Sequence, residues 1–323
     1  MSAGRRYQGG EDSPTVDDSP SVTVEAVAQL SLRVQSVVYN IDRERMTRWV
    51  GALADALAQA RPLLARVEVA VVDSAAEAVL DQAWRDAVAP RLTAAGVDEF
   101  ELVRSERNLG HGGGQNFLLG DRLPDRLLVL NPDAFVAHDL VAEIVRASTA
   151  DGVGVVEGRQ LPFEHPRDYD LRTGDTSWAS GACMLISGDV ISAVGLFDDE
   201  SFFMHGDDVD LSWRAKQAGF RVITCPEALV FHDKRLGRGG LYEAPQAEVY
   251  HSAHSALMLR WKYSRPDLIE DVIGTLMRSP DPVVRRAIAD WEATRDAGRL
   301  PVPIDADHQV GQFVDGAYAP HRY

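Results

Sequence analysis

Apolar residues along this chain switch between two periods. LRVQSVVYN (32–40) and RVEVAVVD (66–73) are short runs dominated by β-branched residues and read as strands, while RERMTRWVGALADALAQA (43–60) between them spaces its apolar residues for a helix. That is a β-α-β unit. A helical stretch of Ala, Leu and Val follows over 75–95, then EFELVRSE (99–106) as a third strand, then the glycine-rich RNLGHGGGQNFLLG (107–120), expected to open another helix. In DRLLVLNPDAFV, Leu127 to Leu130 form the short apolar run of a strand buried on both faces, ended by Asn131-Pro132-Asp133 because proline cannot continue a ladder. Strands and helices alternating at this spacing imply a parallel, doubly wound sheet with ligands bound beyond the carboxyl ends of its strands. The polar strand ends Asn40, Asp73 and Asp133 are therefore expected to converge on one crevice.

The pattern changes near residue 151. GVGVVEGRQ, a polar loop around HPRDYDLRTGDTSW and the strand-like SGACMLIS suggest a second half that holds a second substrate. Beyond residue 240 the chain reads as helical, with 244–263 periodic and 281–297 rich in Ala, Arg and Glu, before the irregular VGQFVDGAYAPHRY. The organisation expected is a flexible tail over 1–30, whose Ser, Pro, Asp and Gly cannot bury a core, a domain over 31–240 with halves at 31–150 and 151–240, and a helical extension over 241–323.

Charge narrows the partners. With 49 acidic against 33 basic residues the formal net charge is -16, which argues against nucleic acid, whose binders present a basic face. Cys183 and Cys225 each sit in an apolar run and read as buried thiols, so neither a disulfide framework nor a four-ligand zinc site is available. The opening residues have no apolar signal region and no segment reaches the ~18 apolar residues of a spanning helix, so the expected location is cytoplasmic. The helical extension leaves peripheral membrane contact open, and monomer and homodimer are both compatible with its apolar face.

Three constellations carry chemistry. Asp207 and Asp208 stand side by side at the head of DDVDLSWRAKQAGF, a helix expected from about Asp208 to Gly219, where the positive end of the helix dipole offsets their repulsion. Phe202, Phe203 and Met204 precede them, an apolar wall that favours the raised pKa of a general base. An Asp at a helix start is more often just a cap. Asp133, after a buried strand, is either a turn former or a ligand for Mg²⁺ or Mn²⁺ shared with substrate phosphates. His232 closes the apolar EALVFHD and is either structural or a metal ligand, with the Gly-rich, basic KRLGRGG behind it suited to a mobile loop near a pyrophosphate. GHGGGQN follows the third predicted strand instead of the first, which speaks against a dinucleotide fingerprint and for a close passage of a sugar nucleotide.

The ordered motifs VVYN, VVDS, RNLGHGGGQN, LVLNPDA, SGACMLIS and GLFDDESFFMHGDDVDLSWRAKQAGFRVITCPEALVFHD resemble family 2 inverting glycosyltransferases of the GT-A fold, especially bacterial rhamnosyltransferase-like members, over roughly 33–235. The resemblance implies a GT-A-type doubly wound mixed sheet flanked by helices. It further implies transfer of a sugar from a UDP- or dTDP-linked donor to an acceptor hydroxyl by single displacement, with Asp208 as base beside Asp207 and a divalent metal, Mg²⁺ or Mn²⁺, at Asp133 and His232. Tyr39, Asn40, Asp73, Asn108, Gly110, Gln115, Asn131 and Asp133 would bind the nucleotide sugar, and Trp178, Gly181 and His205 the acceptor, which is a glycan, a lipid-linked sugar or a small molecule. Two positions depart from the family pattern: Asn131-Pro132-Asp133 holds one carboxylate where the family has two, and Asp207 stands where Glu is usual. His251 and His254 lie where family members often carry Asn or Arg near the acceptor. The single carboxylate at 131–133 keeps a second reading in view, a catalytically weak sugar-nucleotide-binding protein on the same fold.

Overall fold

The computed structural model describes residues 30–234 and 244–322; the expected tail over 1–30 (but for Leu30) and the basic run after Lys234 fall outside them. Eight strands form one mixed sheet in the order β3-β2-β1-β4-β7-β6-β8-β5. Its first half is wound as the alternating pattern predicts: β1 (Leu30–Val38), α1 (Arg43–Ala60), β2 (Leu64–Asp73), α2 (Gln82–Ala94), β3 (Glu99–Arg104), α3 (Gly110–Leu119) and β4 (Arg126–Leu130), with β1 parallel to both β2 and β4. The order then turns mixed. After β5 (Ala134–Val136), α4 (Leu140–Ala147) and β6 (Val153–Leu161), strand β7 (Cys183–Ser187) runs antiparallel between β4 and β6. Helices α5 (Gly188–Val194) and α6 (Asp207–Gln217) follow, and β8 (Arg221–His232) pairs parallel with β6 and antiparallel with β5. The last pairing fixes register: Ala134 faces His232, so the residue before β5, Asp133, lies beside the end of β8.

Two local expectations change. The helix expected over 75–95 occupies only Gln82–Ala94, because the Asp73 carboxylate accepts the amides of Ala75, Val79 and Leu80 and holds the intervening residues as a loop. The glycines of GHGGGQN lie within α3 instead of ahead of it. They are small because the helix is pressed into its surroundings: a Cβ at Gly114 would lie 2.5 Å from the Val37 side chain, and one at Gly112 2.8 Å from Phe197. Cys183 and Cys225 are buried and free, as expected, and burial pushes their thiols up to about 12 and about 11.

The C-terminal part is helical, with α7 (Gln246–Lys262), α8 (Ile269–Leu276) and α9 (Pro282–Asp296), and it packs onto the sheet domain through one core. Val209 and Trp213 of α6 share that core with Leu257 and Leu259 of α7 and Ile288 and Trp291 of α9. The irregular segment after α9 folds back across the molecule. Its backbone bonds to the loop before β7: Asp168 N donates to Pro320 O at 2.7 Å and Arg322 N to Pro166 O at 2.8 Å. Among the described residues, no helix is long and apolar enough to cross a membrane.

Polar anchors join α6 to α7. Asp210, fully buried, accepts from Arg214 at 2.7 Å and from Tyr263 Oη at 3.0 Å, and pairs with Lys262 at 2.6 Å; Lys262 also reaches Asp198 at 2.6 Å. Removing one partner of a buried pair leaves an uncompensated charge. Lys262→Ala is expected to lower unfolding stability by about 3 kcal/mol, the low end for a broken buried pair because Arg214 remains. Chemical denaturation checks it; an unchanged midpoint would show that Arg214 alone suffices.

Candidate active site

A cavity of about 860 Å³ opens beyond the carboxyl ends of β1 and β4. Twelve of the predicted site residues line it: Tyr39 and Asn40 after β1, Asn108 and Gly110 at the head of α3, Asn131 and Asp133 after β4, Trp178 and Gly181 before β7, His205, Asp207 and Asp208 at the start of α6, and His232 at the end of β8. Asp73 and Gln115 do not. The Asp73 carboxylate is buried and fully engaged by its own loop amides, with Arg104 3.4 Å away, so its expected contact with a donor has no free oxygen to make it. Gln115 is buried under the sheet against Gln35.

The acid doublet is reached through a tight turn. His205 and Gly206 both have left-handed backbones (φ 63° and 76°), and α6 starts at Asp207, with Gly206 rather than Asp207 as its N-cap. The turn meets α3, where the His111 amide donates to Phe203 O at 2.9 Å. Gly110, at φ 72°, is required there, since a Cβ would lie 2.2 Å from Phe203 O. This junction brings His111 Nδ1 to 2.5 Å from Asp207 Oδ2. Burial works to raise the Asp207 carboxyl, but the charge and hydrogen bond of His111 outweigh it, and Asp207 sits below its ordinary value. Burial likewise works to lower His111, and the same partner raises it.

Asp208 differs. It is half-buried on the cavity wall, and its Oδ2 accepts the Gly181 amide at 3.0 Å. Burial first, then the neighbouring Asp207 charge, hold its carboxyl above the ordinary value. The two adjacent aspartates are thus pushed in opposite directions, the arrangement that separates a structural anion from a proton acceptor.

Also on the cavity wall, His232 Nε2 lies 3.3 Å from Asp133 Oδ1 and His232 Nδ1 2.8 Å from Gln160 Oε1. The Gln160 amide nitrogen donates to Glu157 at 3.2 Å, which leaves Oε1 as the acceptor facing His232 and assigns the ring proton of the neutral imidazole to Nδ1. A lone pair on Nε2 and a carboxylate oxygen then face one another across 3.3 Å, a seat for a cation. Burial works to raise Asp133; with the His232 ring protonated and no cation seated, the hydrogen bond and charge of that ring, with Arg45, outweigh burial and hold the carboxyl below its ordinary value. This pair supplies two ligands, and among the described residues no group of three His, Cys, Asp or Glu gathers around it. Two protein ligands completed by donor phosphates fit Mg²⁺ or Mn²⁺, which keep few protein ligands.

Several lining residues went unmarked in the sequence. His111 is one, since its partner lies 96 positions away. Arg167 is another: buried, lowered to about 9 by burial, paired with Glu157, and set over the ring of Trp178 at 4.4 Å. One face of the Trp178 ring, expected on the acceptor side, is covered by Arg167. Ala317, Tyr318, Ala319 and His321 form a third group, brought to the wall by the folded-back segment. Arg45 of α1 also lines the cavity and pairs with Asp233.

The mixed sheet flanked by helices has the fold of solved GT-A glycosyltransferases. A mannosyltransferase, PcManGT from Pyrobaculum calidifontis, in complex with GDP-Man and Mn²⁺, superposes with TM-score 0.53 at 16% identity, covering 87% of this chain and 78% of that one. GalNAc-T7 with UDP, GalNAc and Mn²⁺ gives 0.53 at 15% identity over 74% and 49%. Residues 164–264 match the family model described as Glycosyltransferase like family 2, so that stretch is similar to the family the motifs resemble. The match contains the acid doublet and runs past residue 240 into α7. The low-salt glycan biosynthesis hexosyltransferase of Haloferax volcanii is 24% identical over 165 residues, 42% of this chain. The N-acetylglucosaminyl-diphospho-decaprenol L-rhamnosyltransferase of Mycobacterium tuberculosis is 40% identical over 62 residues, 19% of this chain. These matches span 53% and 20% of those relatives' own lengths.

The fold-back segment carries a testable consequence. Shortening the chain after Asp315 removes the Pro320 acceptor of the Asp168 amide, whose hydrogen exchange is expected to accelerate, while the Thr176 amide, bonded to Val222 O, stays protected. Equal exchange at Asp168 in both chains would mean that the segment is not held on the wall.

Proposed function

We propose that the protein transfers a sugar from a nucleoside-diphosphate sugar to an acceptor hydroxyl, inverting the anomeric centre in one displacement. The observation that carries this reading is the presence, in one cavity, of a carboxylate held above its ordinary pKa, Asp208, together with the Asp133–His232 pair. One carboxylate suffices for a direct displacement, in which the acceptor oxygen is the nucleophile and needs only a base. Asp208 Oδ2, oriented by the Gly181 amide, takes the acceptor proton as the oxygen attacks. Asp133 and His232 would hold Mg²⁺ or Mn²⁺, which when bound would neutralise charge on the departing nucleoside diphosphate.

The remaining residues orient. Tyr39, Asn40 and Asn108 lie on the sheet side of the cavity, where the donor's nucleoside would enter. Asn40 adopts a left-handed backbone (φ 56°), which turns the chain away from β1 and opens that side. Arg167, Trp178 and Tyr318 line the acceptor side. UDP- and dTDP-sugars remain the proposed donors, and a glycan, a lipid-linked sugar or a small molecule the acceptor. Positioning of two substrates against Asp208 could supply about 7–11 kcal/mol of barrier lowering.

Calorimetric titration of UDP, dTDP and GDP, each with and without Mn²⁺, tests the donor site. Metal-enhanced binding of a pyrimidine diphosphate that Asp133→Ala weakens is the expected result; no binding of any diphosphate under either condition removes the reading. Asp208→Asn is expected to leave diphosphate binding intact and to lower kcat by about 10²- to 10⁴-fold. Binding without turnover in the wild type would favour the sugar-nucleotide-binding alternative. Gln160→Leu removes the acceptor that fixes the His232 tautomer and is expected to weaken Mn²⁺ binding by about 10- to 100-fold, measured by titration of the metal in the presence of the diphosphate.

A further inference from the structure

His111 occupies a position that the transfer chemistry alone does not explain. Its Nδ1 is 2.5 Å from Asp207 Oδ2, while its Nε2 is shut off from solvent with the Gly181 backbone beside it, so the polar contacts of the ring go to Asp207 and the loop before β7. The ring is confined by Phe197 and by the backbone at Gly181. Phe197 meets it edge-on with centroids 5.2 Å apart, and a Cβ at Gly181 would lie 2.8 Å from its Cε1. The charged and titratable groups around the trio are few: Asp207 and Asp208 from α6, His205 from the turn before it, Arg167 from the loop after β6, and Tyr318 from the folded-back segment.

Two adjacent carboxylates in such a place repel, and one of them would take up a proton unless a cation balances it. Asp207 is 2% exposed and cannot be balanced by water. Gly181 bridges the trio: its amide orients Asp208 and its backbone favours the charged His111 ring.

We propose that His111 is a positioning residue for the transfer reaction: its imidazolium, locked on Asp207, is the counter-charge of the doublet and leaves Asp208 as the ionised carboxylate that faces the crevice. The role rests on the proposed function of Asp208 as base, whereas the charge of His111 does not. Asp207, in this arrangement, is not a second base. It anchors His111, and the shortening from the Glu usual in the family lets the carboxylate meet the ring directly at the head of α6.

Histidine side-chain nitrogen NMR of the ¹⁵N-labelled chain tests the charge without any substrate. With His111 assigned from the His111→Gln spectrum, both ring nitrogens are expected to stay protonated at pH 8, where an ordinary His of pKa about 6.5 is neutral. In Asp207→Asn, with burial no longer opposed by that charge, the ring is expected to be neutral at pH 8. A neutral His111 at pH 7.5 in the wild type, or one that stays charged in Asp207→Asn, overturns the proposal. The role is read from the pH profile of donor turnover. His111→Gln keeps a hydrogen bond to Asp207 without the charge, so the doublet holds its proton to higher pH and the acidic limb of kcat is expected to rise by about one pH unit. KM for the donor should stay within about twofold of wild type, as expected when a change acts on the chemical step and spares binding. Superimposable profiles overturn the positioning role. A chain that turns over no donor sinks the transferase reading, and the NMR result still decides the charge of His111.

Discussion

A fully buried carboxylate, Asp210, holds the working end of the molecule together. It lies one turn into α6, three residues past the first Asp of the doublet, and gathers Arg214 from its own helix with Lys262 and Tyr263 from the end of α7. A charge taken wholly out of water is tolerated only when its partners are complete. The C-terminal helices therefore do more than append to the sheet domain: they supply the cation that lets α6 keep a buried acid one turn from Asp207. The same Lys262 reaches Asp198 in the loop that leads to the tight turn at His205 and Gly206, so both ends of that loop are fixed from α7. The path of the chain into the doublet, and hence the direction in which Asp208 faces, depends on this knot.

What the sequence made legible was what depends on local pattern. Strand ends at Asn40 and Asp133 lie on the cavity wall because a buried apolar run stopped by polar residues marks the edge of a sheet whatever its neighbours do. The start of α6 was legible within a residue, since acids gather at a helix head. Asp73 misled for the same reason. It has the composition of a strand-end ligand, but whether a carboxylate faces a crevice or its own loop amides depends on the path of residues 74–81, which no periodicity encodes. The glycines of α3 answer to Val37 and Phe197, residues far along the chain, and read locally as a loop. His111, Arg167 and the segment around Tyr318 reach the site only through long-range packing, and irregular sequence gave no sign that the last of these would return to the wall.

Charge inside the cavity is arranged very differently from the acidic total. Arg45 already pairs with Asp233 and His111 with Asp207, while Asp208 and Asp133 both face the cavity. A nucleoside diphosphate entering beside them would meet like charge, costing about 4 kcal/mol for one pair at 4 Å in an effective dielectric of 20. A divalent cation held by Asp133 and His232 would reverse the sign of that encounter. The proposed metal would therefore serve donor entry as much as leaving-group chemistry. With one carboxylate at 131–133, the second proposed ligand, His232, stands where the register of β5 on β8 places it.

The two sides of the cavity are joined by a single buried polar chain. Arg167, over Trp178 on the acceptor side, pairs with Glu157 of β6; Glu157 accepts from Gln160; Gln160 accepts from His232; and His232 faces Asp133. Each link sets the orientation of the next, because a buried polar atom left without its partner costs about 1–3 kcal/mol. Gln160 can offer its carbonyl to His232 only while its amide faces Glu157, and Glu157 is held there by Arg167. A substrate that drew Arg167 off Glu157 would free the carboxylate, allow the Gln160 amide to turn, and shift the proton on His232 from one nitrogen to the other. The lone pair aimed at Asp133 would then be lost. The proposed cation seat and the proposed acceptor wall are thus parts of one hydrogen-bonded unit.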